Sequence, residues 1–204
     1  MIYTQNKEQE YILSYFKNTD ISKINILDIG ANNGITYSNS YALLKLGARA
    51  TLIEPSPKSF KDLSSLHKGN NLVKCLNVAI GSEKSKMTLY ESEHHLKDKS
   101  DFALLSSLDY NETIKWRKSG IKFNEINVNV IPYSEINDNY DFITIDTEGY
   151  DLKILKQIDL SYTKLLCIEW NSNPDIKKQI LEYCLKFGLN NLIYISGENL
   201  LIGR

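Results

Sequence analysis

The residues with the clearest chemical potential are Asp28, Gly30, Asn32 and Gly34, in the stretch Ile26-Leu27-Asp28-Ile29-Gly30-Ala31-Asn32-Asn33-Gly34, together with Glu54 in Leu52-Ile53-Glu54-Pro55. An apolar run ending in glycines reads as a buried strand that opens into a loop. Glycine has no Cβ to collide with a ligand, so such a loop can bring its backbone close to one. Glu54 follows the last glycine by about 20 residues, the spacing at which nucleotide-binding folds set an acidic residue against a ribose. A carboxylate there accepts from two hydroxyls at once. The pattern predicts a cofactor that carries an adenosine.

The same loop discriminates among adenosine cofactors. The dinucleotide fingerprint is G-x-G-x-x-G, and its middle glycine lets the loop touch a pyrophosphate. Here that position is Asn32, and the loop reads D-x-G-x-x-x-G. Asp28 ahead of the first glycine repels a pyrophosphate but suits the ammonium and sulfonium charges of S-adenosylmethionine (SAM). SAM is therefore the expected cofactor. A nicotinamide-dependent oxidoreductase and a non-catalytic interaction module are the alternatives on the same architecture. Two glycines after a strand also occur as plain packing.

The elements that must hold these residues alternate between strand and helix. Helical patterns cover Glu8 to Phe16, Ser38 to Leu46, a segment capped by Ser56-Pro57 and stopped at Lys68-Gly69-Asn70, Tyr150 to Leu155, and Pro174 to Phe187. Strand patterns cover Ile24 to Ile29, Ala50 to Ile53, Leu72 to Ile80, Met87 to Tyr90, Ile126 to Ile131, Tyr140 to Ile145 and Leu165 to Trp170. Leu192 to Ser196 and Leu200 to Ile202, joined by Gly197-Glu198-Asn199, form a hairpin signature. This order predicts an α/β fold, a doubly wound, mostly parallel, Rossmann-like sheet with an antiparallel C-terminal hairpin strand at its edge. In such a sheet the ligand crevice opens where strand order reverses, between the strands ending at Asp28 and Asp146. Both acidic loops then face one cleft.

The chain reads as one domain over residues 1–204, with residues 1–20 as a helical extension. The segment 92–125 has no clean period and is rich in Lys, Asp, Ser and Asn, a composition expected of an acceptor-binding insertion or a surface excursion. Within it His94-His95 reads as a solvated loop rather than a metal site. Cys75, Cys167 and Cys184 are far apart, lack C-x-x-C pairing and lie in apolar segments, as buried thiols of a reducing compartment do. A net charge of −1 gives no footprint for nucleic acid. No apolar run has the length of a membrane span and the N-terminus lacks a signal peptide's apolar core, so a cytoplasmic protein is expected.

The blocks ILDIGANNG, LIEPSP, NVAIGS, ITIDTEGYDLKIL and CIEWN, in this order, resemble the FkbM-type family of class I SAM-dependent methyltransferases from Ile26 to about Asn171. Thr4-Gln5-Asn6-Lys7-Glu8-Gln9 is similar to an S-Q-x-x-E-D start in one branch of that family, and Ser38-Asn39-Ser40-Tyr41 to its S-N-T-Y helix start. Thr144 stands where the family often carries lysine. The resemblance implies O-methylation of a hydroxyl on a sugar, polysaccharide precursor or secondary metabolite. It places Asp28, Gly30, Asn32 and Gly34 at the methionine end of SAM, Glu54 on the ribose, and Asn77 and Val78 beside the adenine. Asp146 and Glu148 would face the methyl group and the acceptor. Either carboxylate could take the proton of an acceptor hydroxyl, although aspartate is also a favoured helix cap. Glu169 and Asn171 are secondary acceptor contacts. Asp146, Glu148 and Glu169 are oxygen ligands of the type Mg²⁺ takes, but nothing in their spacing demands a metal, and none is assigned.

Overall fold

A computed structural model describes residues 1–94 and 101–204. His95 lies outside the described residues. In chain order the elements are α1 (Glu8–Tyr15), β1 (Asn25–Ile29), α2 (Tyr41–Lys45), β2 (Arg49–Ile53), α3 (Pro57–Leu66), β3 (Val73–Leu76), β4 (Ala79–Gly81) and β5 (Ser85–Ser92). There follow α4 (Tyr110–Lys118), β6 (Phe123–Pro132), β7 (Phe142–Ile145), α5 (Asp151–Leu155), β8 (Leu165–Glu169), α6 (Pro174–Leu185), β9 (Asn191–Ile195) and β10 (Asn199–Gly203).

The main sheet runs β3-β2-β1-β7-β8-β10-β9. Its first five strands are parallel, and β10 is antiparallel to both β8 and β9. The chain thus builds the expected mostly parallel sheet, with the antiparallel hairpin strand one position in from the edge. Strand order reverses between β1 and β7, where a crevice must open.

Side-chain alternation divides the strands between two cores. Leu27, Ile29, Ile53, Ile143 and Ile145 pack on one face with Ile154 and Leu155 of α5 and Ile180 of α6. Ile26, Leu52, Phe142 and Cys167 pack on the other with Ile12 of α1, Leu43 of α2 and Leu63 of α3. Being covered on both faces is why these strands read as near-continuous apolar runs.

Three expectations need correction. The segment Leu72 to Ile80 is two strands in different sheets: β3 pairs with β2, while β4 joins β5 and β6 in a separate three-stranded sheet. The break falls where Asn77 Nδ2 donates to the carbonyls of Glu54 and Pro55, at 2.8 and 3.0 Å, turning the chain out of the main sheet. The segment 92–125 contains α4 and the start of β6. Asp109 caps α4 by accepting from Asn111 N–H, and only Thr113 of that helix is buried, so it offers no apolar stripe to read. The helix expected from Ser38 begins at Tyr41: the Ser38 hydroxyl accepts from Tyr41 N–H ahead of the first turn, and the Ser40 hydroxyl donates to Asp28 instead of capping the helix.

Gly30 sits at the C-terminal end of β1 with φ +91°. A Cβ there would lie 1.8 Å from the carbonyl oxygen of Asp146, so β1 and β7 can end this close together only with glycine. Gly47 has a similar φ of +97° but open space around it. Gly30→Ala should therefore cost about 3 kcal/mol or more from overpacking and backbone strain, and Gly47→Ala about 1 kcal/mol from strain alone. Urea midpoints of the two variants measure the difference, and equal shifts would mean that the Gly30 contact relaxes at no cost.

Candidate active site

The C-terminal ends of β1, β2, β7 and β8 border a cavity of about 400 Å³. Asp28, Gly30, Asn32, Glu54, Asp146 and Glu148 line it, and so does Val78. Two other residues picked out in the sequence stand behind this lining. Gly34 (φ +82°) faces α3, where a Cβ would come 2.7 Å from Leu63 Cδ1. Asn77 holds the loop after β2 through its two hydrogen bonds to Glu54 and Pro55.

Glu54 is the organising carboxylate of the first half. Oε2 accepts from Asn32 N–H at 2.9 Å and Oε1 from Ser56 N–H at 2.7 Å, so the side chain ties the glycine loop to the start of α3. Each oxygen keeps a second lone pair. Asn32 holds a left-handed conformation (φ 47°), and its Nδ2 donates to the carbonyl of Phe102, joining the loop to the segment before α4. Asp28 accepts from Ser40 Oγ at 2.6 Å. Asn39 Nδ2 donates to Thr144 Oγ1 at 3.3 Å, so the position where the family often has lysine is occupied here by a buried, neutral pair.

The second half is built around a turn. Asp151 accepts from the N–H and hydroxyl of Thr147 and from Gly149 N–H, at 2.8, 3.0 and 2.9 Å. This holds Glu148 at φ 51°, a left-handed conformation that side chains avoid unless surroundings impose it. Ser107 Oγ donates to the Glu148 carbonyl at 2.7 Å. Asp146 and Glu148 keep part of their surface open to the cavity, whereas Glu169 at the end of β8 is buried. Oxygens of these three carboxylates lie within 4.8 Å of one another. Glu169 and Asn171 both border the cavity.

Further residues line the cavity, among which Lys115 was not singled out in the sequence. Gln5 reaches the cavity because Glu8, fully buried, accepts from Ser196 Oγ at 3.0 Å and from Asn199 Nδ2 at 3.4 Å, pinning the N-terminal segment to the β9–β10 turn. Both residues belong to the stretch whose likeness to an S-Q-x-x-E-D start the sequence shows. Lys115 and Trp116 of α4 also line the cavity. The capping pattern Asp109-Tyr110-Asn111-Glu112 could have located that helix. His94 is partly exposed, with Nδ1 3.2 Å from an oxygen of buried Asp101.

Concentrating carboxylates at one sheet edge raises their proton affinity. Burial pushes Asp28 up to about 6, against the bond from Ser40, and Glu54 up to about 7, against its two backbone hydrogen bonds. Burial foremost, and then Asp151 and Asp28, also push Asp146 up. In the unfolded chain such groups ionise near pH 4. Between about pH 4 and pH 7 the native state therefore binds more protons than the unfolded state, and stability falls as pH rises through that window. The melting temperature at pH 5 should exceed that at pH 8 by roughly 5 °C, read by calorimetry without ligands. A higher value at pH 8 would mean that these carboxylates are ionised at little cost.

Comparison with known proteins agrees with this geometry. The family model described as "Methyltransferase FkbM domain" matches residues 28–189. Comparison with curated protein sequences finds no match. Among solved structures, the chain is similar to an FkbM methyltransferase from Methylobacillus flagellatus, with a TM-score of 0.57 and 16% identity, covering 89% of this chain and 44% of that one. The chain thus spans less than half the length of that protein. It is also similar to a candidate RNA methyltransferase from Pyrococcus horikoshii (TM-score 0.52, 13% identity, 98% and 84% covered). A ribosomal protein L11 methylase from Lactobacillus delbrueckii subsp. bulgaricus gives 0.50, 11%, 98% and 80%. At these identities the structural likenesses establish the methyltransferase fold alone. Among the described residues no helix is long and apolar enough to cross a membrane. With its strand order, its acidic glycine loop and a family match over most of its length, the chain belongs to the FkbM methyltransferase domain family.

Proposed function

We propose that the protein transfers a methyl group from SAM to a hydroxyl of a sugar, polysaccharide precursor or secondary metabolite. The observation that carries this reading is the division of one cavity between two acidic groups, Asp28 and Glu54 on one side and Asp146, Glu148 and Glu169 on the other. The donor set fits SAM. Glu54 keeps lone pairs for two ribose hydroxyls, Asp28 offers negative charge to an ammonium, and Val78, Ile80 and Leu89 supply an apolar wall for a base.

When bound, SAM supplies a methyl group activated by its positive sulfur. The protein's tasks are to align the acceptor oxygen with that methyl and to receive the hydroxyl proton as the new C–O bond forms and the C–S bond breaks. Asp146 and Glu148 have the exposure for the second task, and a carboxylate raised by burial is a better base than an ordinary one. Trp116 presents a buried indole N–H that has no partner, which suits an acceptor oxygen. Three carboxylates at the acceptor end disfavour a phosphodiester chain, as does the net charge of −1.

Calorimetric titration with S-adenosylhomocysteine should give micromolar binding that Glu54→Ala weakens by about tenfold or more, equivalent to about 1.4 kcal/mol. Tight NAD binding without S-adenosylhomocysteine binding would overturn the reading. With an acceptor in hand, Asp146→Ala or Glu148→Ala should lower kcat by about 10² or more if that residue takes the proton. Full methyl transfer by both variants would remove the assigned base.

A further inference from the structure

We propose that Asp146, Glu148 and Glu169 together bind one divalent cation of the Mg²⁺ or Mn²⁺ type. The three come from separate elements, the end of β7, the turn after it and the end of β8, and their sequence spacing gives no hint of a common ligand. The fold nevertheless brings one oxygen of each within 4.8 Å of the other two. Ligands on opposite sides of a hard cation sit about 4.2 Å apart for Mg²⁺ and up to about 5 Å for Ca²⁺, so small side-chain rotations suffice to share an ion.

The stronger observation is what these carboxylates lack. The other acidic side chains around the cavity have donors: Asp28 has Ser40, Glu54 has two backbone N–H groups, and Asp151 has Thr147 and Gly149. Asp146, Glu148 and Glu169 accept no side-chain or backbone hydrogen bond among the described residues. Glu169 is 5% exposed, and its Oε2 is buried with no partner at all. A buried oxygen left in that state needs a ligand, a water or an ion to account for it. Three carboxylates facing one point ask for more positive charge than Lys115, on the same wall, can bring.

The ligand chemistry selects the class of ion. All three donors are hard oxygens with no histidine or cysteine among them, which favours Mg²⁺, Mn²⁺ or Ca²⁺ over zinc or copper. Asp146 and Glu148 stay open to the cavity, so an ion reaches the site from the ligand side and keeps coordination positions for water or a second ligand. Asp151 contributes by holding the turn that aims Glu148 inward, which makes it a positioning residue for the site. Cation binding requires neither SAM nor acceptor. Only its placement beside an acceptor hydroxyl rests on the function proposed above, where the ion would polarise that oxygen and lower the charge on the receiving carboxylates.

The test is titration of the chelator-treated full chain with MnCl₂, followed by calorimetry and by loss of the free Mn²⁺ paramagnetic resonance signal. One ion per chain is expected, with a dissociation constant well below about 1 mM and displacement by MgCl₂. Glu169→Gln and Asp146→Asn should each weaken binding tenfold or more, whereas the exposed surface variant Glu83→Gln should not change it. In the wild type, MgCl₂ should also raise the melting temperature, and this readout stands even if a site variant fails to fold. The absence of saturable Mn²⁺ binding by the wild type, or equal affinity in wild type and folded Glu169→Gln, would overturn the proposal. S-adenosylhomocysteine binding measured on the same preparation separates the two readings. Donor binding without Mn²⁺ removes only the cation, and Mn²⁺ binding without donor removes only the assigned methyl donor.

Discussion

The site depends on how closely two strands end. Gly30 N–H bonds to Ile53 O while Asp146 N–H bonds to Ile29 O, so β1, β2 and β7 finish in step. The space for a Cβ on Gly30 is already filled by the Asp146 carbonyl. A larger residue would push β7 away, and Asp146 and the turn that carries Glu148 would move with it. Glu54 extends the same constraint sideways. It receives two backbone N–H groups from loops on either side and fixes the glycine loop against α3. The cavity is thus formed by backbone that cannot spread, and the side chains around it inherit that rigidity.

A cost follows from the same compactness. Burial raises the proton affinity of Asp28, Glu54, Asp146, Glu148 and Glu169, and several of them raise one another's further. Charge of one sign, gathered at the edge of a low-dielectric sheet, opposes folding unless protons or ligands offset it. Evolution has satisfied part of this group with hydrogen bonds and left the rest bare. Asp28, Glu54 and Asp151, which hold loops and turns in place, have donors, and among the described residues Asp146, Glu148 and Glu169 have none. The second set therefore carries the part of the electrostatic cost that no hydrogen bond among the described residues offsets.

Much of this arrangement was legible in the sequence because it rests on local rules. Apolar runs covered on both faces, the Ser56-Pro57 cap and the Gly188 stop after α6 mark their elements without reference to the rest of the chain. The Asp28 loop and Glu54 were legible because both terminate such strands. What escaped depends on contacts between distant segments. The break at Asn77 is made by carbonyls of another strand's loop, and α4 has no apolar stripe but lays Arg117 over the ring of Phe123 and over that of Tyr90, which lies far off in sequence. Gly34 belongs to the glycine pattern yet packs against α3, because spacing says that a small residue is required and not which neighbour requires it. Glu169 could be grouped with Asp146 and Glu148 from its place at the end of a neighbouring strand, but how near their oxygens come depends on the turn after β7 and is not written in the spacing.

The segment that closes the cavity is tied to the acidic turn itself. Ser107 donates to the Glu148 carbonyl, and a Cβ on Gly149 would meet Glu112 Cγ at 2.4 Å, so α4 packs directly on the turn. Lys115 and Trp116, one helical turn further on, reach the cavity from the same helix. Any change in this segment that reshapes the cavity wall therefore pulls on Glu148 as well. In many α/β enzymes loops vary freely over a fixed catalytic edge. Here that wall and the turn carrying Glu148 share a contact, so the shape of α4 and the position of the turn are not independent. Gly149 is nevertheless less restrictive than Gly30, because a Cβ on Gly149 would meet the Glu112 side chain, which can swing aside, whereas a Cβ on Gly30 would meet the backbone carbonyl of Asp146, which cannot.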